Sequence, residues 1–134
     1  RDGEPWGRIV AIENRAHNRR HDDGVGFFGF FESIDNQTVA NALLGAAAEW
    51  LQHRGLTAIR GPVHPSLNYE CGLLVDGFDS PPVFMMSYNR PYYDRLLETY
   101  GLAKVQDLYA YLGHVDMVPK LSEKHAAMHQ VVIE

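Results

Sequence analysis

The 134-residue, 15.1 kDa chain fits one domain, on a prior of about 150 residues each, and can bury a core without staples. Apolar residues at 46% and charged residues at 22% exclude collagen-like, disordered and coiled-coil classes. A net charge of −5 with 12 dispersed Lys and Arg argues against nucleic acid as a partner, and the longest apolar run, residues 42–48, is too short to cross a bilayer.

Residues 7–14 (GRIVAIEN) are apolar on both faces, Ile9 and Ala11 against Val10 and Ile12, which predicts a strand inside a covered sheet. Residues 15–24 are polar, end in Asp-Asp-Gly and read as a loop. Residues 25–34 (VGFFGFFESI) predict a second strand, antiparallel to the first, with Phe27 and Phe31 facing one way and Phe28 and Phe30 the other. Asp35 is a candidate N-cap for a helix over 36–53. Its polar residues Gln37, Asn41, Glu49 and Gln52 form one stripe, so Val39, Leu43, Leu44, Ala47, Trp50 and Leu51 predict a largely buried helix. Gly55 stops it, and residues 56–60 predict a third strand closed by Gly61-Pro62.

Residues 62–90 combine prolines at 62, 65, 81 and 82 with Leu67, Leu73, Leu74, Val75 and Phe78, the pattern of an ordered, packed insertion. Pro91 opens a second helix that runs to Tyr100 and ends at Gly101. Residues 104–112 predict another strand, 118–129 a last helix and 131–134 a final strand. The order β-β-α-β-insert-α-β predicts a layered α/β domain with a mixed sheet.

Several residue groups bear on chemistry. Gly24-Val25-Gly26-Phe27-Phe28-Gly29 matches the dinucleotide fingerprint in letters only, because a strand follows it instead of a helix. There the glycines read as relief of crowding beside phenylalanines. His17 and His21, next to Asp22 and Asp23, have the i, i+4 spacing of metal ligands but lie in the expected loop. Cys71 with His64 offers a thiol and a base, against the plainer reading of a small buried hydrophobe. A lone cysteine excludes an internal disulfide and fits a reducing, cytoplasmic setting. All seven tyrosines lie between Tyr69 and Tyr111, with Asn68, Glu70, Asn89 and Asp107 as candidate partners. Buried phenols need such partners, so this half either lines a wet cleft or packs tyrosines that satisfy one another.

The stretches GRIVAIENR, VGFFGFFE, WLQHRG, IRGPVHPSLNYECGLLVDGFDSPP, MMSYNRPYYDRLLETYGL and KVQDLYAY resemble an uncharacterised bacterial family of the GNAT N-acetyltransferase superfamily, over residues 3–112. The resemblance implies an acyl-CoA N-acyltransferase-like α/β fold and transfer from acetyl-CoA or another acyl-CoA to a small-molecule amine. Pantetheine would lie between the Phe-rich strand and residues 56–60. The pyrophosphate would sit on amides at Asn36, Gln37 and Thr38, where a helix N-terminus favours anions. The superfamily's glycine-containing loop is replaced here by Glu32-Ser33-Ile34-Asp35-Asn36-Gln37, and its usual general-acid tyrosine aligns with Leu97. Tyr93, or its neighbour Tyr92, then stands in as proton donor, and Glu70 as the base for the amine. Asn68, Tyr88, Asn89 and Tyr92 are the expected substrate contacts. The alternative is a non-catalytic module that keeps the fold for ligand binding or dimerisation. A homodimer without nucleic-acid or membrane partners is the expected assembly. On this alignment residues 1–117 form a partial domain whose first elements are missing, and residues 118–134 a linker helix and the start of a further strand.

Overall fold

The computed structural model describes residues 3–111, 113 and 114. Its elements run β1 (Gly7–Ile12), α1 (Arg15–His21), β2 (Val25–Ser33), α2 (Gln37–Gln52), β3 (Ala58–Arg60), β4 (Val63–His64), β5 (Glu70–Cys71) and α3 (Tyr93–Tyr100). They form a mixed α/β fold. A three-stranded sheet has the order β1-β2-β3, antiparallel between β1 and β2 and parallel between β2 and β3. The parallel pair is joined by α2, as such a crossover requires. No helix among the described residues is long and apolar enough to cross a membrane.

The Phe-rich strand, not its neighbour, is the central one. β1 is an edge among the described residues, and Val10 is exposed, so the expectation of a fully covered first strand is corrected. Facing alternation along β2 is also corrected. Arg8 pairs with Glu32 and Val10 with Gly29, which leaves Ile9 opposite both Phe30 and Phe31. This bulge, with Phe30 at φ 51°, shifts the side-chain parity by one. Phe28 and Phe31 therefore share one face, packed with Ala40, Leu44, Tyr93, Leu96 and Leu97 from α2 and α3. Phe27 joins Val25 and Val63 in a smaller cluster on the other face, closed by Ile12 and Cys71. Phe30 is left facing outward.

Two glycines of the false fingerprint are required by these close approaches. A Cβ at Gly26 would lie 2.6 Å from the Leu51 side chain, and one at Gly29 would collide with the Val63 carbonyl oxygen. Relief of crowding is their role, but against Leu51 of α2 and the backbone of β4, not against the phenylalanines.

Other boundaries moved for identifiable reasons. The polar segment 15–24 is mostly helical: Asn14 caps α1 through the His17 amide, and Asn18 accepts from the Val25 amide, pinning the turn to β2. Asn36, not Asp35, caps α2, accepting from Thr38 and Val39, while Asp35 is turned away to pair with Arg95. Burial of α2 is narrower than expected, limited to Ala40, Leu44, Ala47 and Leu51. Helix α3 begins at Tyr93, two residues past Pro91, and ends at Gly101 with φ 111°. Residues 104–111 form no strand and are exposed, having no ladder partner among the described residues. The expected elements at 118–129 and 131–134 lie outside the described residues.

The insertion is packed only in part, with Val63 buried and Val75, Val83 and Phe84 exposed. β4 and β5 pair antiparallel, Val63 with Cys71 and His64 with Glu70. Asn89 clamps the following loop by accepting from the Leu74 amide and donating to the Leu74 carbonyl. Ser87 donates to the Cys71 carbonyl. Beyond that clamp the loop carries exposed Val83 and Phe84, the latter 93% accessible.

Candidate functional site

β2 and β3 pair only as far as Phe27 and Arg60, after which the chain turns at Gly61-Pro62 and lays β4 across β2. The space between the two strands, where the resemblance expects pantetheine, is thus bordered by Pro62, Val63 and His64 of this chain. The Phe30 amide, freed from the ladder by the bulge, donates to His64 Nδ1 at 3.0 Å.

A small cleft, about 50 Å³ in volume, opens beside this crossing. Its walls are the end of β2 (Phe31, Glu32), the β4–β5 hairpin (His64, Glu70) and the clamp loop (Ser87, Tyr88, Asn89), with Tyr93 behind. The fold therefore gathers Glu70, Tyr88, Asn89 and Tyr93 of the sequence-derived candidates into one place. Sequence reading missed Glu32, Ser87 and His64 as members of this site. In the sequence His64 offers itself only as a base for Cys71, which instead packs with Val25, Phe27 and Val63 as a small hydrophobe. The register that sets Glu70 opposite His64 is a pairing across an irregular turn, for which the sequence holds no short-range signal.

Tyr93 is 3% accessible. Its hydroxyl donates to Glu32 Oε2 at 2.6 Å and accepts from the Ser33 amide at 3.1 Å. Burial, reinforced by the Glu32 bond, pushes this phenol up to about 12. Tyr92 lies outside the cleft and donates to the Ser33 carbonyl at 2.9 Å. Both tyrosines hold the end of β2 against α3.

The remaining candidates lie elsewhere. Asn68 borders a second, wider cleft of about 360 Å³ with Asn14, His17, Arg20 and His21. There His17 Nε2 bonds Asp23 at 3.0 Å, and the two histidine rings lie 4.4 Å apart, tilted by 32°. Among the described residues no three His, Cys, Asp or Glu stand close enough to hold a metal. At the start of α2 the Thr38 and Val39 amides are taken by Asn36, and Gln37 donates to the Leu96 carbonyl and to Asn41.

No family profile and no solved structure matches the chain. Two bacterial proteins do. Protein YghO of Escherichia coli (strain K12) is 40% identical over 109 residues, covering 81% of this chain and 28% of that protein. The other is the bacterial ceramide synthase of Caulobacter vibrioides (strain NA1000 / CB15N), 45% identical over 126 residues, 92% of this chain and 33% of that protein. The chain thus spans a third or less of the length of these curated relatives.

Proposed function

We propose that this chain is a GNAT-like acyltransferase domain that joins the acyl group of a thioester, acyl-CoA in the first instance, to the amine of a small long-chain molecule. The carrying observation is the 45% identity to a protein named bacterial ceramide synthase, extending over 92% of this chain. A ceramide is the amide of a fatty acid with a long-chain amino alcohol, so making one is N-acylation. The exposed apolar residues Val83 and Phe84, just before the cleft residues Ser87 and Tyr88, support a long-chain acceptor.

Glu70 is the base for the amine in this reading. It is a carboxylate on the cleft wall, and none of the ion pairs among the described residues engages it. Tyr93 is better suited to holding Glu32 and Ser33 than to giving up its proton, because that proton is already bonded to a carboxylate and bound more tightly than an ordinary phenol's. Tyr88 and Asn89 border the acceptor. The thioester end of acyl-CoA suits a cleft of these donors and acceptors. Its diphosphate finds the Thr38 and Val39 amides only if the Asn36 side chain swings away.

That capped helix favours one second reading, a non-catalytic module that keeps the fold for ligand binding. Thermal unfolding with acyl-CoA separates the two. A ligand at about 100 times its dissociation constant stabilises the native state by roughly 2.7 kcal/mol. An upward shift in midpoint with long-chain acyl-CoA is expected; none at millimolar concentration would leave the enzyme reading without its donor.

A further inference from the structure

Backbone geometry fixes where the proton of His64 sits. The Phe30 amide donates to Nδ1, so Nδ1 holds the lone pair and the neutral ring carries its proton on Nε2. The ring is held by this bond, by the edge-on Phe30 ring at 4.9 Å and by the buried Val63 beside it in β4. Among the described residues Nε2 has no hydrogen-bond partner, and the ring borders the cleft. Glu70 is its direct cross-strand neighbour, on the same face of the hairpin. A rigid donor and a carboxylate thus stand side by side in one cleft, one suited to developing negative charge and the other to a proton.

We infer that His64 Nε2–H is the donor that stabilises the carbonyl oxygen of an acyl thioester in this cleft, beside Glu70 as proton carrier. The inference rests on the acyl-transfer reading and adds a catalytic residue to it. A neutral amine nitrogen forms the new C–N bond with the thioester carbon, while the carbonyl π pair moves onto oxygen, against Nε2–H. That pair then returns to re-form C=O, and the C–S bond breaks with its electrons on sulfur. The Glu70 carboxylate takes one proton from nitrogen and passes it to sulfur, leaving an amide and a free thiol. His64 keeps its proton throughout, as preorganised donors do.

Two measurements test this. Long-range ¹H–¹⁵N spectra of the wild-type protein should show His64 as the Nε2–H tautomer. Its Nε2 signal should move on adding an acyl-CoA analogue in which CH₂ replaces sulfur and the carbonyl remains. An Nδ1–H tautomer, or an unmoved signal under saturating analogue, overturns the inference. In turnover, His64→Asn keeps an acceptor for the Phe30 amide but its shorter amide places no donor at the Nε2 position, and it should lower kcat about 100-fold or more with the fold intact. His64→Gln, which can place an amide N–H near the Nε2 position, should recover part of that loss. Wild-type turnover with an unaffected His64→Asn variant overturns the role of His64 alone, whereas a wild type that forms no amide from any acyl-CoA and long-chain amine overturns the acyl-transfer reading itself.

Discussion

Tyr93 is a buried tie between elements of the site. Its hydroxyl joins α3 to two consecutive residues of β2, Glu32 and Ser33, inside the main core. Removing it in Tyr93→Phe leaves a carboxylate and a backbone amide short of a partner, a loss of about 1–3 kcal/mol. Chemical denaturation should register that as a lower midpoint with an unchanged slope. The same phenol sets an alkaline limit. Its value near 12 in the folded protein, raised by burial and then by Glu32, exceeds the ordinary 10. Its contribution is thus whole below pH 10 and is lost as pH climbs towards 12. Denaturation midpoints across that window should fall less in Tyr93→Phe than in the wild type.

Among the elements, α2 and the bulged strand β2 decide the geometry. Asn36→Ala should cost about 1 kcal/mol by uncapping α2, visible in thermal or urea unfolding. Gly29→Ala should be far worse, since a Cβ there meets a backbone carbonyl of β4 that cannot rotate away. Loss of cooperative unfolding or of soluble protein is the expected outcome. The β1–β2 pairing and α2 were legible in the sequence because two β-rich apolar runs and a polar stripe announce them. The bulge was not: it rests on Phe30 taking a positive φ, which no local pattern of four phenylalanines signals. α1 was hidden because it has no buried residue and is held by side-chain bonds from Asn14 and Asn18. Two adjacent residues could cap α2, and the choice fell to Asn36 because Arg95, 60 residues away, engages Asp35.

For the whole molecule, helices α2 and α3 cover one face of the sheet and the β4–β5 hairpin covers part of the other, so the cleft forms where β2 leaves β3. Four of the expected site residues meet there, although they come from the insertion, its clamp loop and α3. Their meeting was foreshadowed by the clustering of tyrosines, whereas His64 needed the β4–β5 register. Amide formation is the direct test of this arrangement. Incubating the protein with palmitoyl-CoA and a long-chain amino alcohol, and following the N-acyl product and free thiol by mass spectrometry, should show both appearing in equal amounts. Glu70→Gln should slow both together. Thioester loss without amide, or no turnover of either substrate by folded protein, would contradict the acyl-transfer function.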